Sequence, residues 1–144
     1  MSRQQRALGV PLHPLLVHFP IAFWFAVPVL YLLALFAGPE PWRAAALGAT
    51  IAGASIGAAA IVTGLLEYMQ PSLAGIDMRL AARHGMRTVS AWGVFTAKAI
   101  SAAFLPMSQA VMLLFLALDL AGAALLLQGV YFGTRQVYEQ LEKD

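Results

Sequence analysis

Leu15 to Ala37, LLVHFPIAFWFAVPVLYLLALFA, is an apolar run without Asp, Glu, Lys or Arg in which His18 is the single histidine. It exceeds the ~20 residues a helix needs to cross a hydrocarbon core of about 30 Å. Backbone groups in hydrocarbon must bond within their own segment, so the run is predicted to be a transmembrane helix. Gly38-Pro39-Glu40-Pro41 ends it, and three further stretches follow. The second covers Ala44 to Leu66. The third, Gly85 to Leu105, is the least apolar and carries Thr88, Ser90, Thr96, Lys98 and Ser101. The fourth covers Gln109 to Phe132, and the polar tail from Arg135 to Asp144 is expected to prolong its helix. Pro71 and Gly75 mark one connection and Pro106 another. Connections this short make successive helices antiparallel neighbours, which predicts an all-α, up-down-up-down bundle of four transmembrane helices using residues 1–144 as one domain.

Composition agrees with that solvent. Of the 144 residues 60% are hydrophobic and 11% charged, against about 25% charged in soluble domains; the mean hydropathy is +0.74. There is no cysteine, so disulfides, thiolate metal sites, iron–sulfur clusters and covalent c-type haem attachment are excluded. The net charge of +2 gives no nucleic-acid footprint, and phosphate-loop, nucleophile-elbow and zinc-protease motifs are absent. Met-Ser-Arg-Gln-Gln-Arg is a basic start like that of a signal peptide, but the apolar run is too long and no small-x-small cleavage site precedes Gly38, so a retained first helix is expected. Arg3, Arg6, Arg79, Arg83, Arg87, Arg135 and Lys143 fall on the side shared by both termini and the middle loop, and Arg43 flanks the other. The positive-inside rule then predicts cytoplasmic termini in a bacterial-type inner membrane.

The three histidines stand where hydrophobic segments begin. Helices one and three run in the same direction, so His18 and His84 are expected at similar depth. They lie on diagonal helices, the arrangement that lets two imidazoles hold one flat macrocycle. This predicts b-type haem with His18 and His84 as axial ligands and Arg83 and Arg87 near the propionates. His13, ahead of Pro14, either joins the site or caps the helix. A zinc site built from His13, His18, His84 and Glu67 is the rival metal reading. Gly48, Gly53, Gly57 and Gly64 in helix two, and Gly122, Gly129 and Gly133 in helix four, offer close-approach surfaces for a flat ring; the same spacings serve helix packing or self-association in lipid. Arg79, Arg83 and Arg87 also serve as interfacial anchors. Lys98 and Asp119 lie deep in the bilayer at similar distances from the turn between helices three and four, so an intramembrane ion pair is expected, either structural or part of a proton route. His84, Ala91, Phe95 and Lys98 share nearly one helical face. Tyr31, Trp42, Trp92, Tyr68 and Tyr131 are read mostly as interfacial aromatics.

His13-Pro14-Leu15-Leu16-Val17-His18-Phe19-Pro20-Ile21-Ala22 resembles the opening motif of the membrane family called domain of unknown function 2231, small proteins with four predicted transmembrane helices. Gly64-Leu65-Leu66-Glu67-Tyr68 is similar to its acidic motif at the end of helix two, with Glu where Asp is frequent. Arg83-His84 resembles the start of its third helix, with Thr88 in place of an Asn, and Gly129-Val130-Tyr131 partly matches its C-terminal glycine-tyrosine motif. Fusion of relatives to cytochrome-like domains implies a redox setting. The expectation is a membrane haem protein that passes electrons, with a quinone or a redox protein as partner and Glu67 as a nearby carboxylate. Its rivals are a haem-free transporter or ion-handling protein using Glu67, Lys98 and Asp119, and a structural subunit of a larger membrane complex.

Overall fold

A computed structural model of the chain describes residues 6–7, 10–69 and 77–142. Two strands of two residues, β1 (Arg6–Ala7) and β2 (Val10–Pro11), form a small antiparallel ladder ahead of four helices. These are α1 (Leu12–Phe36), α2 (Trp42–Tyr68), α3 (Met78–Ala102) and α4 (Gln109–Leu141). The all-helical, four-helix architecture expected from the hydropathy is the one observed. By length and apolarity α1, α2 and α4 qualify as membrane spans. The 25-residue α3 is as long as α1 but carries Arg79, Arg83, Arg87 and Lys98.

Three helices start earlier than their apolar runs, α2 by two residues at Trp42 and α1 and α3 for reasons their first turns show. In α1, Pro14 occupies the first turn, where its missing N–H costs no intrahelical bond, so the helix begins at Leu12 and takes His13 with it. In α3, Asp77 is the N-cap: its side-chain oxygen accepts from the backbone N–H of Arg79 at 2.8 Å and of Leu80 at 3.4 Å. That satisfies two otherwise orphaned donors and starts the helix at Met78, seven residues before the predicted span. At the other end Ala102 is its last residue, ahead of Pro106. The fourth helix continues through the polar tail to Leu141.

The buried positions recur every three or four residues in α1, α2 and α4, and from Ala91 onward in α3. They are Pro20, Trp24, Val27, Tyr31 and Ala34 in α1, and Ala46, Thr50, Gly53, Gly57, Ala60 and Thr63 in α2. In α3 they are Leu80, Ala91, Phe95 and Lys98, and in α4 Met112, Phe115, Asp119, Gly122 and Leu126 head the stripe. This alternation is the seam of antiparallel bundle packing. Helix α1 packs mainly on α2, and α3 mainly on α4; smaller α2–α3 and α1–α4 contacts close the ring. The diagonal helices α1 and α3 meet through rings: Trp24 stacks on Phe95 with centroids 4.6 Å apart and planes 4° from parallel. Tyr31, 1% exposed, lies in a second cluster with Val27, Ala46 and Phe115. Trp92 bridges helices by donating Nε1–H to the Ala54 carbonyl at 2.9 Å. Both aromatics are core residues rather than the interfacial ones their sequence positions predicted. The outward faces carry Val29, Leu32, Val62, Leu114, Leu120 and Leu127, an apolar exterior that fits lipid rather than water.

Candidate functional site

The first turn of α1 and the second of α3 bring His13 and His84 together at one end of the bundle, with ring centroids 6.3 Å apart and planes at 88°. Each ring is tied to the neighbouring helix in the same way. The His13 Nδ1 is 2.7 Å from the Ala60 carbonyl oxygen on α2, and the His84 Nδ1 is 2.7 Å from the Gly129 carbonyl oxygen on α4. A carbonyl only accepts, so Nδ1 carries a proton in both rings, which leaves Nε2 of each ring as the nitrogen not engaged by the carbonyl. This fixing of Nδ1–H by a carbonyl is the second-shell device that orients histidine ligands.

Glycine makes the seats. A Cβ at Gly64 would stand 2.7 Å from Cε1 of His13, and one at Gly133 would stand 2.8 Å from Nδ1 of His84. Each glycine lies one helical turn beyond the carbonyl that its histidine uses, so a bare stretch of helix backbone receives each ring. Deeper in the bundle Gly53 meets Trp24 of α1, and Gly122 meets Phe95 of α3. The same number of residues separates His13 from His84 as separates Trp24 from Phe95. One common interval likewise relates Gly53, Ala60 and Gly64 to Gly122, Gly129 and Gly133. The hairpins α1–α2 and α3–α4 are thus two copies of one packing scheme, a relation that the hydropathy reading missed. Its signal in the sequence is short: Ala52-Gly53-Ala54 matches Ala121-Gly122-Ala123.

The structure brings His13, and not His18, to His84. His18 is exposed on the outside of α1. Five residues along a helix turn the chain by about 140° away from the starting face, so His13 and His18 cannot both face the core; the buried stripe through Pro20 and Trp24 continues back to His13. The position that corresponds to His18 in the second hairpin is Val89, 45% exposed. Arg83 and Arg87 are also exposed and face outward beside α4 rather than towards the histidine pair. With Met86, Ser90 and Phe132 they line a cleft of about 530 Å³, and the Arg83 guanidinium lies 5.7 Å from the centre of the Phe132 ring. Glu67, one turn beyond Gly64, is half-buried, and its Oε1 is enclosed with no hydrogen-bond partner among the described residues. Among the described residues no group of three or more His, Asp or Glu side chains converges to hold a metal. This overturns the zinc set of His13, His18, His84 and Glu67, because His18 faces away from the other members.

On the far side of the Trp24–Phe95 stack, Lys98 of α3 forms an ion pair with Asp119 of α4, both almost fully buried. The Lys98 ammonium also lies 5.1 Å from the ring centre of Tyr31 and 5.5 Å from that of Phe95, so ring faces replace part of its lost hydration. Asp119 Oδ1 takes the lysine, while Oδ2 is buried without a partner. Lys98 and Asp119 stand where the first hairpin has Val27 and Thr50, and Thr50 spends its hydroxyl on the Ala46 carbonyl at 2.8 Å. Arg43 lies at the opposite end of the bundle from the histidines, donating to the Met107 carbonyl at 2.9 Å.

The donor set has a chemical reading. Two metal–imidazole bonds of roughly 2 Å each, plus about 1 Å from each ring centre to its nitrogen, place imidazoles on opposite sides of one metal on the order of 6 Å apart. The His13–His84 spacing has that size. Two protein nitrogens without a third donor would suit a metal that arrives with its own equatorial ligands, as the iron of a haem does. No curated protein and no solved structure matches the chain. The family of predicted membrane proteins designated domain of unknown function 2231 (DUF2231) matches residues 9–141, nearly its full length, and the chain belongs to that family.

Proposed function

We propose that this membrane protein binds b-type haem between His13 and His84 and transfers electrons within the bilayer. The observation that carries the reading is the matched anchoring of two diagonal imidazoles, each with Nδ1 on a neighbouring helix carbonyl, at a separation suited to one metal between them. Bound haem supplies a one-electron couple. The protein's part is to present the two Nε2 nitrogens and to seat the rings against Gly64 and Gly133. A membrane quinone or a redox protein is the partner class for such a couple. Glu67, at the same end with an oxygen that has no partner among the described residues, would be the nearby carboxylate of this site. Arg79, Arg83, Arg87 and Arg135 at the histidine end, against Arg43 at the other, support a cytoplasmic location for that end in a bacterial-type inner membrane.

The test is a visible spectrum of detergent-purified protein expressed with a haem precursor. The expected result is a Soret band with sharp reduced bands of six-coordinate low-spin haem. His13→Ala and His84→Ala each remove that signature, while His18→Ala retains it. A featureless spectrum, or an unchanged one in both His13→Ala and His84→Ala, overturns the assignment. A second reading, haem-free proton or ion handling through Glu67, Lys98 and Asp119, is favoured by the unpartnered Asp119 Oδ2. It requires flux across liposome membranes that Asp119→Asn abolishes.

A further inference from the structure

The Arg83–Arg87 cleft is separate from the histidine pair and has a chemistry of its own. Its floor is the seam between α3 and α4, where Gly129 lets the helices close up: a Cβ there would lie 2.6 Å from Thr88 Cγ2 and 3.5 Å from Arg87 Cβ. Above that seam two guanidinium groups one helical turn apart, the exposed Ser90 hydroxyl, the Phe132 ring and the 63% exposed Met86 side chain line the same space. Neither arginine has a carboxylate within ion-pair distance among the described residues. Among the described residues the contact made by these head groups is the approach of Arg83 to Phe132. The cleft thus offers two cations without a carboxylate partner among the described residues, and a hydroxyl, beside an apolar wall on the outer surface of a membrane bundle.

We propose that this cleft is a binding site for the phosphate headgroup of an anionic phospholipid, with an acyl chain running along Met86 and Phe132. Guanidinium forks match phosphate oxygens bidentately, and Ser90 adds a donor. A soluble phosphate would meet the same donors but gain nothing from the thioether and the ring. A zwitterionic lipid brings its own ammonium group and competes with the arginines for the phosphate. The chemistry therefore selects a headgroup of net negative charge attached to a hydrocarbon chain. This site does not depend on the haem reading.

Native mass spectrometry of the full chain released from nanodiscs of equal phosphatidylglycerol and phosphatidylcholine tests the proposal. The wild type is expected to retain phosphatidylglycerol preferentially. Arg83→Gln and Arg87→Gln should each lower that preference roughly fivefold and the double variant by more than tenfold. Arg79→Gln, with the same loss of charge two residues into α3, should leave it within about twofold. Phe132→Ala should weaken retention of both lipids. Equal retention of the two lipids by the wild type overturns the proposal, as does an Arg79→Gln loss equal to that of Arg83→Gln, which would mean a diffuse charge effect. Displacement of the lipid by millimolar inorganic phosphate would also overturn it, by showing that the hydrocarbon wall contributes nothing. Retention of the ordinary helical circular dichroism in each variant confirms that binding, not folding, is being read.

Discussion

Lys98 and Asp119 occupy the position at which an error of one charge would be most costly. In the low-dielectric interior each charge is tolerated because the other is in contact, with the rings of Tyr31 and Phe95 around the ammonium. Removing one partner leaves an uncompensated buried charge, a loss of about 3–5 kcal/mol. Lys98→Met should therefore lower the thermal midpoint in detergent far more than Arg43→Met, and the double change Lys98→Met, Asp119→Leu should restore most of it. A double variant no more stable than Lys98→Met would show that the pair does more than hold α3 to α4. The juxtaposition is legible in the sequence, because counting back from a short turn sets two antiparallel positions at one depth. Selecting the histidine that meets His84 was harder. The deciding fact is the start of α1: with the helix beginning at Leu12, His13 falls on the stripe of Pro20 and Trp24 and His18 falls off it. Pro14 conceals that start, since a proline near the edge of an apolar run reads equally as a first helical residue or as the end of a loop.

At the scale of the helices, glycine does different work at different positions. A Cβ at Gly53 would run into the Trp24 indole, whose ring is already stacked on Phe95. Gly48, on the same helix, has no neighbour within 4 Å. Gly53→Ala should thus cost about 1–3 kcal/mol through overpacking, whereas Gly48→Ala should be neutral or stabilising by up to about 1 kcal/mol through helix propensity. Thermal midpoints of the two purified variants decide this, and equal midpoints would mean that the Trp24 seat is plastic. The number of helices and their approximate ends were readable because hydrocarbon forces long apolar runs into helices. The start of α3 was not, since Asp77 and the amphipathic turns after it are too polar to register as a span, although an aspartate at an N-cap is itself a readable signal. The glycine spacings were visible, but they could not say which ring each glycine would meet.

In the whole molecule, the duplicated packing of the hairpins α1–α2 and α3–α4 puts the starts of α1 and α3 and the ends of α2 and α4 at one end, where His13, His84, Gly64 and Gly133 converge. Sequence similarity between the halves is confined to a few packing positions, because lipid-facing side chains need only be apolar; the repeat emerges from which atoms meet, not from matched strings. The scheme fixes topology: helices that run up, down, up and down return the chain to the side on which α1 began. That side holds Arg79, Arg83, Arg87 and Arg135, while Arg43 is spent on the Met107 carbonyl at the opposite turn. Basic residues resist translocation, so their uneven placement orients the bundle. Reporter fusions in a bacterial host should accordingly read cytoplasmic after Asp144 and external in the turn between Gly38 and Trp42. Moving the charge bias should move the orientation: Arg79→Gln, Arg83→Gln and Arg87→Gln together, with two lysines inserted after Gly38, should produce a mixed or inverted population. An external C-terminus in a stable wild-type fusion would place the histidine pair at the outer face. The haem proposal would survive that result, but its electron partner would have to be sought on the other side of the membrane.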